Sequence, residues 1–587
     1  GQSELYAKAE ATFSNLATSY PQEKSARAAL YYWAEALYEL GKKDEAAKLY
    51  AEFAQKHPKD PLLADALYAL GVAQQELGQF VAAGATFEAY LKQFAKLPLA
   101  TEVRLRRGEA LFAQGQFQAA EKCFVAAADK PDFEQADWAT LRQAACLSEL
   151  RKYDEAAAVY ASLPERFPGS QHAGAARLAG GRCAFLAGQF AAARLVLARV
   201  QTAGGVPAVE ASHWLARCLL KEGQPAEALR VVEAALPQAE GSPYAIRLAL
   251  DRADALYDQS DRRRESVPFY VALAQQHPQD SLAVEAQYMA AFASLNVGDH
   301  PSALAYADAF LKQYAEKELA ADVLNVAAES NLQLKKYDEA GRLYDSLVKK
   351  YPRRTEAEVW HVRRGLVLYL QQRYDETVAV LEPSLAALKS KDSLAEAHYL
   401  IGSSRNELKK YPAAIKSLAA SFSAAPAGQQ ADQALLALAF AYRQTNELAS
   451  AKTQLNRLLK QFPESPLLDR AHYALAEDSF AAGELANAAA EYRLVEERFP
   501  ASTLAPHAAY GLGWTQLSQM DPAAAVKTFD ALLVKYASSE IVPRTRYARA
   551  VAREQLNEFA AAADDLLAYL QTQPVGAEHS DARYVLG

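Results

Sequence analysis

The stretch ELGQFVAAGATF, residues 76–87, decides the fold because its Gly-Gln-Phe core is written more than once. The same tripeptide recurs at 115–117 and at 188–190. Counting from its aromatic residue in steps of about 37 gives 16 recurring positions, which we call anchors: 6, 43, 80, 117, 153, 190, 225, 263, 300, 337, 374, 411, 448, 485, 522 and 559. A fixed period that covers almost the whole chain predicts an array of structural repeats.

Small and large apolar residues recur around each anchor with helical spacing. Three residues after the anchor, 14 of the 16 copies carry Ala, and four residues further on stands a larger apolar residue such as Phe87 or Tyr344. This i, i+4 spacing places both on one face of a helix. A second small residue, such as Gly71, recurs nine residues before the anchor. We therefore expect two helices per repeat that cross closely at their small side chains.

Turn residues separate these two predicted helices. Gly or Asn often lies two residues before the anchor, as at Gly78 and Asn446, and accepts the left-handed conformation that ends a helix. Pro often lies 15 residues after the anchor, and Asp or Ser follows it as a candidate cap for the next helix, as at Asp280 and Ser465. Before the anchor at 263, one extra residue in the loop 258–262 restores the small residue as Ala253.

The order of helix A, Gly turn, helix B and Pro loop resembles the tetratricopeptide repeat family. The resemblance implies an all-α, right-handed superhelical solenoid of about 15–16 repeats, continuous over residues 1–587. The unit of 37 residues exceeds the family's usual 34, with the surplus in the loop after the Pro. Residues 1–21 read as helix B of an incomplete first repeat, and 577–587 as the start of an incomplete last one. We expect the natural protein to continue beyond an end, or a partner to cover the end faces.

Composition and motifs narrow the class of function. The net charge of -8 disfavours nucleic acid as the main partner, and no apolar run approaches the roughly 18 residues of a membrane span. The chain lacks the phosphate-loop, zinc-helix and nucleophile-elbow motifs, which predicts a non-enzymatic protein without cofactor or metal. Cys146, Cys183 and Cys218 share one repeat position usually held by Ala, so we expect unpaired core thiols, with disulfides or a metal site as the alternatives.

In the tetratricopeptide family helix A lines a concave groove, so its outward positions are the candidate binding residues. Twelve residues before the anchor, Tyr recurs toward the C-terminal third, and eight residues before it three copies carry a large aromatic, the first of them Phe292. The candidates are Tyr473, Tyr510 and Tyr547 at the first position and Phe440 and Trp514 at the second. Such rings suit peptide recognition, although Tyr at the first position has the alternative of packing between neighbouring helices.

Two arginines form a second candidate site. Arg182 and Arg217 occupy the position eight residues before the anchor in adjacent repeats. Together they are placed to clamp an acidic peptide or a carboxylate, and the alternative is solvated surface arginine.

The phrasing of residues 462–513, aromatic-Pro-x-Ser followed by Ala-x-Tyr-x-Leu, is similar to repeats of bacterial cell-envelope proteins of the Tol-Pal coordinator and barrel-assembly lipoprotein type. The leading hypothesis is a scaffold or adaptor that binds a protein or extended peptide in a periplasmic or envelope complex, with a cytoplasmic location as the alternative. Two rival functions stay open: a structural subunit that stacks or self-associates through its ends, and a regulatory array of a larger enzyme.

Overall fold

The computed structural model describes residues 2–130, 132–572 and 577–586, and the regular structure in these ranges is entirely helical. Pro574, one of the recurring prolines, and Gly587 at the end of the last partial repeat lie outside the described residues. The chain divides into two compact units, residues 1–299 and 300–587. The predicted all-α architecture of paired helices is confirmed. Its continuity across the two units and its superhelical hand remain predictions.

The helices of each unit follow one another in antiparallel pairs. The first unit contains α1 (Gln2–Ser19), α2 (Lys24–Glu39), α3 (Lys43–Lys56), α4 (Leu63–Glu76), α5 (Phe80–Phe94), α6 (Ala100–Ala113), α7 (Phe117–Ala128), α8 (Ala136–Glu149), α9 (Tyr153–Arg166), α10 (Ala173–Leu186), α11 (Phe190–Ala203), α12 (Val206–Lys221), α13 (Pro225–Ala235), a 3₁₀ helix (Leu236–Gln238), α14 (Ala245–Tyr257), α15 (Arg263–Gln276) and α16 (Ser281–Asn296). Even-numbered helices are helix A of a repeat, and odd-numbered helices are helix B.

The second unit continues the same alternation. It contains α17 (His300–Tyr314), α18 (Ala320–Gln333), α19 (Tyr337–Lys350), α20 (Ala357–Leu370), α21 (Tyr374–Leu381), a 3₁₀ helix (Glu382–Ala387), α22 (Lys391–Glu407), α23 (Tyr411–Ala424), α24 (Ala431–Gln444), α25 (Leu448–Gln461), α26 (Leu468–Ala481), α27 (Leu485–Arg498), α28 (Ala505–Ser518), α29 (Pro522–Lys535), α30 (Val542–Gln555), α31 (Phe559–Thr572) and α32 (Ala577–Leu586).

Each anchor after the first is the first residue of an odd-numbered helix, which confirms the predicted helix B. The residue two before the anchor has a positive φ at every one of these helices except α15, where the predicted extra residue lies. Gly and Asn account for nine of these turns, and five others use residues that rarely adopt this conformation. Those five are Arg151, Lys335, Gln372, Lys409 and Met520. Ala253 is fully buried, as the insertion requires.

The predicted Asp cap is confirmed at Asp280, and the predicted Ser cap at Ser465 is wrong. Asp280 directly precedes α16 and accepts from the Leu282 backbone N–H at 2.8 Å. Ser465 instead accepts from the Leu467 backbone N–H at 3.1 Å, one turn before α26 begins. Its hydroxyl also donates to Asp432 at 2.6 Å, which links the loop to helix A of the preceding repeat. The serine therefore closes the loop rather than the helix end.

We number positions within a repeat from its anchor, with minus signs toward the N-terminus. The core of a repeat is the contact between position −9 on helix A and position +7 on helix B. Where position +7 is Phe, position −9 is Gly: a methyl group on Gly71 would lie 2.3 Å from Cε1 of Phe87. Where position +7 is Tyr, position −9 is Ala, as in Ala328 and Tyr344. Both kinds of ring are fully buried, so ring type and small residue are matched inside each repeat.

Candidate protein-binding surface

Many neighbouring helices A contact one another within each unit. Adjacent even-numbered helices contact one another directly, as α10, α12 and α14 do in the first unit and α26, α28 and α30 in the second. Between described residues, the odd-numbered helices of adjacent repeats approach one another less closely. Helix A therefore lies on the tighter side of the stack, and we call its outward surface the A face.

Phe440 is the most open of the predicted aromatic residues. It lies at position −8 on α24, its residue surface is 45% exposed, and its ring makes an edge-to-face contact with Tyr411, with centroids 6.3 Å apart. Phe480, at position −5 on the next helix A, is 37% exposed. Sequence reasoning missed Phe480 because it considered only positions −12 and −8. Position −5 continues the same helical face, at i, i+4 and i+7 from position −12, so the spacing contained the signal.

Tyr510 and Trp514 come together one turn apart on α28. Their rings make an edge-to-face contact with centroids 6.3 Å apart, and Tyr510 also lies against the buried ring of Phe529 at 6.2 Å. Both side chains are half-buried at the margin of this core cluster. The two rings are held against each other before any partner binds, so part of the ordering cost of a contact is already met.

Tyr473 and Tyr547 are held by their own repeats. Their rings contact Tyr492 and Tyr569, with centroids 5.9 and 5.4 Å apart. Burial and the nearby Glu477 raise the pKa of Tyr473 to about 12. The hydroxyl of Tyr547 donates to Asp581. Both tyrosines thus pack between helices, and a direct role in binding remains a prediction for them.

Arg182 and Arg217 are both paired within the chain. Arg182 lies 3.5 Å from the Glu210 carboxylate, and Arg217 donates to Asp254 at 2.7 Å, with Asp251 at 3.7 Å. Each acid comes from the next helix A. An incoming carboxylate would have to compete with these contacts, so the structure presents ion-paired arginines and the clamp remains a prediction.

An aromatic cluster that sequence reasoning missed lies near these arginines. The ring centroids of Phe185 and Trp214 are 5.3 Å apart, and Trp214 donates to Glu210 at 3.4 Å. His213 is buried beside them, with its Nδ1 2.6 Å from Asp251. Burial raises the pKa of Asp251, and His213 and Arg217 oppose that shift. The histidine is a buried structural partner of Asp251.

Position −8 has a structural role wherever position +7 is Tyr and position −8 is acidic. The hydroxyl of Tyr50 donates to Glu35 at 2.5 Å, and Tyr344 donates to Glu329 at the same distance. Tyr270 with Asp254, and Tyr492 with Glu477, make the same contact. Phe440 and Trp514 face Leu455 and Phe529 at position +7, which carry no hydroxyl. In the repeats of these two aromatics, no tyrosine hydroxyl at position +7 requires an acidic residue at position −8.

The four cysteines are free and buried, as expected for core thiols. Burial raises the pKa of Cys146 and of Cys218 to about 12, because the thiolate is poorly solvated in the helix pair. In the described ranges, no group of three or more His, Cys, Asp or Glu side chains is placed to hold a metal ion. In the same ranges, no helix is both long and apolar enough to cross a membrane.

The geometry defines an α-helical repeat protein whose A face carries aromatic and paired charged residues. Profiles of the tetratricopeptide repeat match residues 68–134, 105–171, 178–243, 288–355 and 510–577, and a second profile of the same repeat matches 28–60. These matches cover more than half of the chain. The chain belongs to the tetratricopeptide repeat family, whose fold is in general a protein-interaction scaffold.

One further profile and several solved structures show similarity. The outer membrane lipoprotein profile matches residues 391–487. A search of curated proteins found no match. Two of the matching solved structures have 14% identity and a TM-score of 0.32. The match to the APC/C hetero-tetramer Cut9-Hcn1 covers 89% of this chain and 96% of that chain. The match to Naa15/Naa10 bound to HypK-THB covers 95% of this chain and 96% of that chain. A tetratricopeptide repeat protein from Parabacteroides merdae matches at the same values over 45% and 97%. Similarity of this degree identifies neither partner nor activity.

Proposed function

We propose that this protein is a non-enzymatic scaffold that binds a protein or an extended peptide on the A face of its second unit. The observation that carries the proposal is the pair of exposed aromatics on adjacent helices A, Phe440 and Phe480. Exposed aromatic rings on neighbouring helices of one surface are candidates for a contact site. The half-buried pair of Tyr510 and Trp514 lies on the next helix A and extends the aromatic surface.

The chemistry of this surface favours a peptide ligand. Aromatic rings contribute large contact areas with few rotatable bonds, so they lose little entropy on binding. Arg443, three residues after Phe440, is neutralised because it forms an ion pair with Asp478 at 2.7 Å. Recognition at this surface is therefore dominated by apolar contact, and the paired arginines Arg182 and Arg217 of the first unit are secondary candidates.

A location in the bacterial periplasm or cell envelope is part of the proposal. It is supported by the outer membrane lipoprotein profile, whose matched residues 391–487 include Phe440, Tyr473 and Phe480. We further propose that residues 1–587 form one continuous repeat array. Fractionation of cells that express the full-length gene, followed by immunoblotting of the periplasmic and cytoplasmic fractions, tests the location. A purely cytoplasmic protein would remove this part of the proposal.

The binding surface is tested by quantitative recovery of partners after crosslinking in cells. Phe440→Ala combined with Trp514→Ala removes two aromatic anchors, each worth about 1–2 kcal/mol in a typical hot spot, so recovery of the partner should fall at least about tenfold. Val534→Ala combined with Leu567→Ala is the matched control, because both residues are exposed on helices B of the same unit. Equal recovery by the wild type and the Phe440/Trp514 variant would exclude this surface.

A further inference from the structure

A cation-lined groove lies on the opposite side of the repeats, between the helices B of the first unit. The groove runs between α5 and α7, and residues of α6 form its floor. Its volume is about 790 Å³. Its walls include Leu91, Arg104, Arg107, Phe117 and Lys122. We call this cavity the α5–α7 groove. It shares no residue with the A face candidates described above.

The charges of the α5–α7 groove are not balanced. Arg107 donates to Glu88 at 3.0 Å, and the same carboxylate accepts Lys92 at 3.0 Å. Arg104 and Lys122 make no ion pair with any described residue. The Nε of Arg107 is buried and has no acceptor among the described residues. Glu88 is thus shared between Arg107 and Lys92, and the buried Nε of Arg107 is an unsatisfied donor among the described residues.

Three grooves elsewhere in the chain share one ion pair with the α5–α7 groove, but none of the three carries both of its additional cations. The ion pair between position −10 and position +8 of the preceding repeat recurs as Arg252 with Glu233, Arg364 with Asp345, and Arg549 with Asp530. The α5–α7 groove adds a cation at position −13 and another at position +5. With the insertion before anchor 263 taken into account, the residues at these positions in the other three grooves are Ala249 and Pro268, His361 and Ala379, and Arg546 and Asp564.

The cations of the groove are set against apolar walls. Arg104 and Arg107 are half-buried, and Leu91 and Phe117 line the same cavity. Water is partly excluded there, so hydrogen bonds from guanidinium to carboxylate are stronger than at an open surface. Arg104 and Arg107 are separated by about one helical turn, a spacing suited to successive acidic side chains of one segment. The cavity is also much larger than a single carboxylate requires.

We propose that the α5–α7 groove binds an acidic segment of a protein partner through Arg104, Arg107 and Lys122. The partner's Asp or Glu carboxylates accept from the two guanidinium groups and the ammonium group, and its apolar side chains lie on Leu91 and Phe117. The inference rests on the proposed function in that the chain binds proteins. It concerns a different surface in the other unit.

The test measures fluorescence anisotropy of a fluorescein-labelled hexaglutamate peptide with the full chain. Arg104→Glu combined with Lys122→Glu should weaken binding at least about tenfold, because attraction is replaced by repulsion at two sites. Arg177→Glu combined with Arg199→Glu is the matched control. It makes the same change in net charge on two arginines that form no ion pair with described residues and line the cavity between α9 and α11, whose walls also carry the carboxylates of Asp154 and Glu165. This control should bind within about twofold of the wild type.

Three outcomes would overturn the inference. The first is no binding by the wild type, and the second is an equal loss in both charge-reversal variants. The third is displacement by inorganic phosphate at the same concentration as by unlabelled hexaglutamate, which would indicate a general anion site. If circular dichroism shows that the reversal variant is unfolded, Arg104→Gln combined with Lys122→Gln supplies the same comparison. Phe440→Ala with Trp514→Ala should bind the probe normally, so failure of the A face proposal and failure of this one are separable.

Discussion

The contact between Gly71 and Phe87 predicts that Gly71→Ala lowers the free energy of unfolding, whereas Gly→Ala in an open helix raises it. In an open helix interior, Gly→Ala stabilises by up to about 1 kcal/mol through helix propensity. At Gly71 the added methyl would lie 2.3 Å from Cε1 and 2.7 Å from Cδ1 of Phe87. Unstrained carbon contacts lie at about 3.5–4.0 Å, so the ring or the helix must move by more than about 1 Å. Overpacking of this kind costs about 1–3 kcal/mol, and the gain in helix propensity of up to about 1 kcal/mol offsets part of it, so we expect a net loss of up to about 2 kcal/mol.

Native-state hydrogen exchange is the appropriate assay, because stability in a repeat array is local. In Gly71→Ala the opening free energy of the amides of α4 and α5 should fall by this amount. Gly174→Ala is the matched control: Gly174 lies in α10 and a methyl there meets nothing within 4 Å, so local protection should rise. A rise in both variants would refute the reasoning.

The tyrosine repeats supply a rescue of the same variant. Adding Val72→Glu and Phe87→Tyr to Gly71→Ala recreates the combination of Glu35, Ala34 and Tyr50, in which the hydroxyl donates to the acid at 2.5 Å. The hydroxyl bond holds the tyrosine ring, and the ring is compatible with Ala at position −9. The triple variant should recover at least about half of the lost protection. Failure to recover would show that the two packing arrangements are not interchangeable.

Three further changes test other parts of the fold. Ala193→Leu, at a fully buried helix crossing, should cost about 1–3 kcal/mol of local opening free energy in α10 and α11 by hydrogen exchange. Lys409→Gly should raise the opening free energy at the α22–α23 turn by about 0.5 kcal/mol, because φ is 58° there and only Gly adopts it without strain; a loss of protection would contradict this. The thiols of Cys146 and Cys218 should react with iodoacetamide at pH 8 only after unfolding, since burial raises their pKa to about 12. The unfolded thiol ionises near pH 8.5 and the folded thiol does not, so the contribution of these thiols to stability is complete below about pH 8.5 and declines as the pH rises toward 12. Rapid reaction of the folded chain with iodoacetamide would refute the assignment.

Much of the fold follows from local sequence, and its exceptions have physical causes. The anchors locate each helix B because the small residue and the large apolar residue after them must share one face. The five turns with neither Gly nor Asn could not be predicted from residue preference. The Lys409 N–H donates to the Asn406 carbonyl at 2.9 Å, and the Lys410 N–H donates to the Arg405 carbonyl at 2.8 Å. These bonds close the end of helix A and impose a positive φ whatever the side chain.

Less of the candidate site could be predicted from the sequence. Position on the helix identified Phe440 and Trp514 as outward residues, but exposure depends on what the neighbouring repeat places above them. The ion pairs of Arg182 and Arg217 involve acids 28 to 37 residues away, on the next helix A. Sequence spacing alone does not show that these side chains meet. The α5–α7 groove likewise depends on which charges of three helices face one cavity.

The hydroxyl of the buried tyrosine has a consequence for how this array diversifies. In the repeats of Tyr50, Tyr270, Tyr344 and Tyr492, one oxygen atom inside the protein fixes the identity of an acidic residue on the A face. Phe at position +7, as in Phe529, lacks that oxygen, and the residue above it is free to change without disturbing the interior. A new specificity is therefore expected to arise in the phenylalanine and leucine repeats, while the four repeats with this tyrosine–acid bond keep the residue at position −8 constant.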